Sequence, residues 1–415
     1  MGFVAAVCPS CGASIQLPEG ATRCFCTFCG NQVIFADAIA KKTEIEGTVA
    51  TRAADFDVQA GCLLAYHGAS TDVVLPDTVR TFGNFAFKNQ RITSITLPRV
   101  IDWMSYDQFR SIPTLRALNY NHENSGWRSF NGVLYSLKDR ELIIYPAAYP
   151  AKEYTVTEGT RKVTITGNPY LKRLVVGAGI EEILLKNLSG LEEIIFDMSP
   201  ETLPSVTISE CPALKTIDIA ATPVSSVVLE KCNSIRELAL PSFVQSLKLA
   251  NCPALTRVNC LSALDSLWLQ SCPISYFNRE DCIFVPNGAD DIHIEGVNSS
   301  QLHIDKHVDR LNIWGNRKTV IFGDGIERLD NIRLNSKTHI VLPSSLKYVG
   351  ENLTIWAGTT FEFPGYERAD IRNASLKYWR SEQWEKQGRC PKCGGSFVGL
   401  FKKHCDKCGY EKPKN

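Results

Sequence analysis

Apolar positions recur in the middle of the chain with a spacing that superimposes four stretches: Leu203, Val206, Ile208 and Cys211; Val224, Val227, Leu229 and Cys232; Val244, Leu247, Leu249 and Cys252; Leu264, Leu267, Leu269 and Cys272. In each, the apolar-x-apolar step puts two side chains on one face of a strand and turns the residue between them to the other face. The cysteines are 21, 20 and 20 positions apart. A fixed period with one short strand in each copy is the pattern of stacked turns, every turn burying its apolar face against the next.

The same step continues on both sides. One column of strand starts is Ile183, Val206, Val227, Leu247, Leu267, Ile292, Leu311, Ile332 and Leu353. A second, about ten residues later in each turn, is Ile194, Ile217, Leu238, Val258 and, after a gap, Leu302, Val320, Ile340 and Phe361. The columns predict a mainly β solenoid with two parallel sheets. Residues 273–289 break the period and predict a bulged loop or widened turn. Four aligned cysteines invite a metal or redox site, but their slot turns inward and suits a small apolar group, so the spacing points to packing.

Cysteine here fills the slot that asparagine often takes in a leucine-rich repeat. Upstream, residues 56–97 pass from a short hairpin to Asp72-x-x-Leu75-Pro-Asp77-x-Val79-x-x-Phe82-Gly83-x-x-Ala86-Phe87 and then to Ile92-x-x-Ile95-x-Leu97-Pro. Phe130-Asn131-Gly132-Val133 reads as a hairpin with a positive-φ turn. These elements resemble the BspA-type leucine-rich repeats of bacteria. The resemblance implies that Gly83 to Phe87 is a compact turn packed behind a strand, and that the chain recognises proteins. Trp103, Tyr106, Phe109 and Trp127 read as core of an irregular turn.

Paired cysteines flank the solenoid. Cys8-x-x-Cys11-Gly with Cys26-x-x-Cys29-Gly, and Cys390-x-x-Cys393-Gly with Cys405-x-x-Cys408-Gly, have the spacing of four-cysteine zinc ribbons. Each knuckle lets two thiolates point at one ion, and four thiolates close a tetrahedral site without a position for water. Two structural zinc ions are expected. His404 adjoins a ligand cysteine, but both C-x-x-C pairs are intact. The expected organisation is an N-terminal ribbon over 1–35, a linker over 36–55, the solenoid over 56–365, a capping helix and linker over 366–388, and a C-terminal ribbon over 389–415. In the helix, Ser375 is the expected N-cap, Leu376, Trp379 and Trp384 the buried stripe, and Gly388 the stop.

Charge enters only locally. Lys and Arg number 45 against 44 Asp and Glu, so no global field draws the chain to nucleic acid or an anionic membrane. Residues 386–415, however, carry a net charge of +6 with Phe397 and Phe401 nearby. This suggests a nucleic-acid-binding adaptor acting through 389–415 as an alternative function. No secretory signal or membrane-length apolar stretch is apparent, and thiolate zinc sites suit a reducing compartment, so the expected location is cytoplasmic. G-x-S-x-G, the phosphate-binding G-x-x-x-x-G-K-[ST] and H-E-x-x-H do not occur, and a non-catalytic protein is expected.

The residues between buried strand positions carry the leading function. In the first column these are Thr207, Val228, Lys248, Trp268, His293, Asn312, Arg333 and Thr354, with a serine column at 205, 226, 246 and 266 giving way to Asp291, Arg310, Asn331 and Asn352. Trp314 and Trp356 fall on the same outward side. Tryptophan and arginine are enriched where interfaces carry their energy, so Trp268, His293, Arg310, Trp314, Arg333 and Trp356 form a candidate protein-binding surface. The competing reading packs each Trp beneath a loop or the C-terminal helix.

Overall fold

The structure is a computed structural model. It describes residues 55–87, 91–102, 104, 106–110, 112–120, 122, 126–196, 203–315, 319–334, 337–400 and 403–413, together with the backbone of four N-terminal strands. Those strands form two antiparallel pairs, Phe3–Val7 with Ser14–Pro18 and Arg23–Phe25 with Gln32–Ile34. Cys8, Cys11, Cys26 and Cys29 lie outside the described residues. The chain divides into two compact units, residues 1–138 with 142–150 and residues 139–141 with 151–415.

In the first unit, Phe56–Gln59 and Cys62–Tyr66 form a hairpin. Asp72–Val74, Ser94–Thr96 and Ala117–Asn119 stack as a parallel ladder. The turn after Gly83 packs as the resemblance implied. The Gly83 N–H donates to Leu63 O (2.8 Å), the Tyr66 N–H donates to Ala86 O (2.8 Å), and Ala86 and Phe87 are buried. A Cβ on Gly83 would lie 3.2 Å from Leu63 O, which explains glycine there. Asn131 and Gly132 both have positive φ (51° and 83°) and join Trp127–Phe130 to Val133–Ser136. Phe109 is fully buried, on the short helix Asp107–Arg110, while Tyr106 and Trp127 pack against the same core. Trp103 lies outside the described residues.

The second unit is the solenoid. Its first column forms one parallel ladder in the register that the sequence dictates: Ile183, Val206, Val227, Leu247, Leu267, Ile292, Leu311, Ile332 and Leu353 are successive partners. Most of these are completely buried. The exception in the opening motif is Leu203, which is 49% exposed while Pro204 packs inward beside it.

The second column departs from one continuous sheet. Tyr154, Leu174, Ile194 and Ile217 share one ladder, and the next begins at Glu237–Ala239. The Ile217 carbonyl accepts from the Ile219 N–H (3.2 Å) and the chain turns again at Thr222, so that carbonyl is withdrawn from the next rung. Residues 273–289 correct the expected loop. They form Tyr276–Arg279 and Cys282–Val285, and these fill the gap in register, Val258 beside Phe277, Phe277 beside Ile283, and Ile283 beside Leu302. A register shift at Phe277 and Asn278 admits the extra strand. Asn278, at φ 62°, satisfies it by accepting from the Cys260 N–H (2.8 Å) and donating to Cys260 O (2.6 Å) and Phe284 O (2.9 Å). A third ladder, Arg328–Leu329, Tyr348–Val349 and Asp370–Ile371, lines the last turns.

From Gly167 to Gly296 the turns leave the first sheet through a left-handed residue. Gly167, Asn187, Glu210, Lys231, Asn251, Ser271 and Gly296 all have φ between 50° and 74°. From Asn187 to Ser271 their N–H groups extend the ladder by one bond of 2.9–3.0 Å. The following residue plugs the corner. Asn168 accepts from Tyr170 N (2.8 Å) and Leu171 N (2.9 Å), and further along the place is taken by Cys211, Cys232, Cys252 and Cys272, all fully buried. Leu188, fully buried, takes the place between Asn168 and Cys211.

The terminal helix spans Ala374–Lys386 and covers the last turn, with Leu376 and Trp384 buried and Trp379 edge-on to Phe361 (5.8 Å). Its N-cap is Asn373 rather than Ser375. Asn373 accepts from the Leu376 N–H (3.2 Å) and donates to Leu353 O (2.9 Å), whereas Ser375 is exposed. Asparagine at this position serves both the helix and the sheet edge, which serine two residues later does not reach.

Candidate functional site

The cysteine ladder offers no exposed chemistry. Cys211 Sγ points to Ser209 O (3.4 Å), Cys252 Sγ to Ala250 O (3.3 Å) and Cys272 Sγ to Gln270 O (3.3 Å). Burial pushes the Cys211 thiol up to about 11, and the neighbouring Cys252 thiol together with burial raises Cys232 and Cys272 further. A weak donor satisfying a corner carbonyl from inside a dry column is a packing role.

At the C-terminus, Cys390, Cys393, Cys405 and Cys408 come together with all four sulfurs within 4.8 Å of one another. Sγ–Sγ distances are 3.7 Å for Cys390–Cys408 and 3.3 Å for Cys393–Cys405. Four thiolates each ~2.3 Å from a central ion would stand ~3.8 Å apart. The donor set therefore fits a tetrahedral metal. Among the described residues this is the one such group. Glycines close both knuckles, Gly394 at φ 68° and Gly409 at φ 71°. The first knuckle seats on the capping helix: a Cβ on Gly394 would fall 2.6 Å from the Trp384 ring, and Ser381 Oγ donates to Pro391 O (2.7 Å). Of the aromatic groups beside the basic tail, Phe397 lies under Lys412 (5.5 Å) and Tyr410 under Lys392 (4.7 Å). Phe401 lies outside the described residues.

The outward face of the first sheet is a grid. One row, perpendicular to the strands, is Asp291, Arg310 and Asn331, continued by Asn352. The next is Trp268, His293, Asn312, Arg333 and Thr354. A third holds Glu295 and Trp314, and Trp356 follows two residues beyond Thr354. An open groove of about 500 Å³ lies over the first two rows, between Asp291 and Thr354.

Five of the six predicted residues lie on paired strands of this face and Trp356 follows its last strand; they differ in what engages them. Trp268 and His293 stack on each other, with ring centroids 3.7 Å apart and planes 15° apart. Lys248 approaches the Trp268 ring at 6.0 Å, and Trp268 Nε1 donates to Gln270 Oε1 (3.2 Å). Arg310 pairs with Asp291 (2.8 Å). By contrast Arg333 has no ion pair among the described residues, and the rings of Trp314 (49% exposed) and Trp356 (55% exposed) have no aromatic or cationic neighbour among them. The terminal helix carries indoles of its own, Trp379 and Trp384, whereas Trp268, Trp314 and Trp356 are exposed. The sequence placed Asn312, Asn331 and Asn352 outward but did not count them in the candidate surface; in the structure they line the groove, with Asn352 Nδ2 donating to Asn331 Oδ1 (3.2 Å) and Asn312 Nδ2 3.3 Å from His293 Nδ1.

Residues 65–139 and 178–272 match the BspA type leucine rich repeat region in six copies. Over those residues the chain is similar to BspA-type repeats. No curated protein matches it. Among solved structures, a leucine rich cell surface protein from Faecalibacterium prausnitzii is 21% identical, with 47% of this chain and 61% of that one covered at a TM-score of 0.38. The pneumococcal vaccine antigen PcpA is 19% identical, with 63% of each chain covered and a TM-score of 0.33. A leucine-rich repeat protein from Eubacterium ventriosum is 16% identical, with 69% and 68% covered and a TM-score of 0.27. The chain thus spans about three fifths of the length of the first two. No helix among the described residues is long and apolar enough to cross a membrane.

Proposed function

We propose that the chain is a non-catalytic recognition scaffold that holds a protein partner on the outward face of the first sheet. The observation that carries this reading is a groove lined by Asn312, Asn331, Asn352 and Arg333, with exposed Trp314 and Trp356 on or next to its strands and no ion pair to Arg333 among the described residues. Indoles and guanidinium groups are the side chains that dominate interface energetics when a partner desolvates them. The rungs stack rigidly, so the groups are held in place before binding and little ordering entropy is lost. Amides, a guanidinium and indoles are a binding set, and this supports a role without chemistry of its own.

The C-terminal ribbon is read as a structural zinc site. Zinc suits four thiolates without an open position, and the contact between Gly394 and Trp384 would tie the metal to the solenoid cap. A second zinc at Cys8, Cys11, Cys26 and Cys29 remains part of the proposal, on spacing alone. Buried unpaired thiols and thiolate metal sites are stable in a reducing compartment, which supports a cytoplasmic location.

The test is affinity capture with the full chain and with Trp314→Ala plus Trp356→Ala, with and without nuclease. Protein partners retained by the wild type and lost by the double variant support the reading. Identical partners with both chains sink it. Partners lost only after nuclease would transfer the function to the basic residues of 389–415.

A further inference from the structure

We infer that the groove between Asp291 and Thr354 is a subsite for one carboxylate of the protein partner, taken by Arg333 with Arg310 and Asn331 beside it. This rests on the proposed use of that face and specifies the chemical group that the partner brings there.

The charge of Arg333 is not answered within the solenoid. Elsewhere the rungs set an acid in register with a cation: Lys162 and Glu182 (3.4 Å), Arg173 and Glu193 (3.2 Å), and Arg310 and Asp291 (2.8 Å) are register partners as well as ion pairs. The register partners of Arg333 are Asn312 and Thr354, and it has no ion pair among the described residues. Arg310 and Trp314, which flank Asn312 on the same outward face, are not acids either. Residues 315–318 and 335–338, which follow the two strands, contain no Asp or Glu. A guanidinium keeps its proton throughout the physiological range, so the charge persists until a partner supplies the counter-charge.

Neighbouring donors face the same groove. Asn331 precedes Arg333 by two residues on one strand, which puts both side chains on the outward face about 6.7 Å apart. It is also in register with Arg310. Asn331 Oδ1 accepts from Asn352 Nδ2 (3.2 Å), so the one amide atom that would repel a carboxylate is occupied from within the fold. The Asn331 Nδ2 group has no acceptor among the described residues and is left for the groove. Arg310 is tied to Asp291 through Nη2 alone and keeps its other N–H groups.

The charge balance selects the ligand. Arg310, Arg333 and Asp291 are the charged groups of the groove, and they leave one positive charge over. A carboxylate carries one negative charge in a planar fork that a guanidinium meets with two parallel N–H···O bonds. A phosphate monoester brings about 1.5 to 2 negative charges, more than the groove compensates.

The test is selection of a random peptide library displayed on phage against the full chain, followed by titration of the selected peptides in blocked synthetic form. Selected peptides should carry Asp or Glu. Replacing that residue with its amide should weaken binding to the wild type about tenfold, the low end for charge-assisted hydrogen bonds at an exposed site. The same replacement should cost nothing in Arg333→Gln. Arg333→Glu should select Lys or Arg in place of the acid. Asn331→Asp, an isosteric change that sets a carboxylate of the chain itself beside Arg310 and Arg333, should abolish the acidic preference. All three substitutions are at exposed positions, and circular dichroism checks their fold. No enrichment, peptides without an acidic excess, or an amide replacement that costs as much in Arg333→Gln as in the wild type overturns the inference. So does tighter binding of phosphoserine in place of the acid, or of an oligogalacturonate. If selected peptides depend on Trp314 and Trp356 but not on Arg333, the carboxylate subsite falls alone; if neither the peptides nor the captured partners depend on those tryptophans, the recognition face falls too.

Discussion

Replacing Asn373 with alanine removes two services at once. The Oδ1 atom accepts the Leu376 N–H at 3.2 Å and caps the terminal helix, and loss of such a cap costs about 1 kcal/mol. The Nδ2 group donates to Leu353 O at 2.9 Å on the last rung of the first sheet, and Asn373 is only 5% exposed. The part-buried Leu353 carbonyl, left without that donor, costs a further ~1–3 kcal/mol. The expected sum is about 2–4 kcal/mol, felt where the helix meets the final turn. A stacked array unfolds from its ends, so a global melt would blur this, and the suitable assay is native-state hydrogen exchange of residues 374–387. At ~1.4 kcal/mol per factor of ten, protection in the helix should fall by roughly 30- to 700-fold. Ser375→Ala is the control, because Ser375 is exposed and should change protection by less than about threefold. Equal effects of the two substitutions, or a greater one from Ser375→Ala, would refute the assignment of the cap.

Other outcomes follow from the same geometry. Cys211, Cys232, Cys252 and Cys272 should stay unreactive to a thiol reagent at pH 8 in the folded chain and react fully in denaturant, since all four are fully buried and Cys211, with a pKa of about 11, is also only roughly 0.1% ionised there; fast labelling of the folded chain would contradict their place inside the turns. Cys390→Ser plus Cys405→Ser should release one metal equivalent per chain by elemental analysis and lower exchange protection around Trp384, and an unchanged metal content would remove the ligand assignment. Ser271→Gly should raise stability in a thermal melt by about 0.5–1 kcal/mol, because Ser271 is exposed and held at φ 50° where glycine is unstrained. A loss of stability would mean that its side chain supports the corner.

The rung register was legible because burial on one side makes a strand slip costly: a shift of one residue at Leu247 would turn Leu247 and Leu249 outward and Lys248 inward. The aligned cysteines and the outward row from Lys248 to Thr354 followed from the same alternation. What was hidden depended on the backbone rather than on hydrophobic period. Glu210 and Lys231 adopt the left-handed region that their residue types give no reason to expect, because stacking of the turns imposes it. Phe277 and Ile283 looked aperiodic because the extra strand enters through a bulge that Asn278 satisfies with its side chain. Asn373 was passed over for Ser375 since both are good caps and only the fold brings Leu353 O within reach of one. On the candidate face, alternation put Trp268, His293, Arg310, Trp314 and Arg333 outward, but did not show that Trp268 and His293 stack on each other while the rings of Trp314 and Trp356 have no aromatic or cationic neighbour among the described residues.

Hydroxyl-radical footprinting of the full chain with and without its captured partner tests that last division most directly. Trp314 and Trp356 should be oxidised readily in the free chain and protected in the complex, while Trp384, 7% exposed beneath the ribbon, should be slow to oxidise in both. Protection that falls elsewhere, with Trp314 and Trp356 oxidised equally in both states, would contradict recognition through this face.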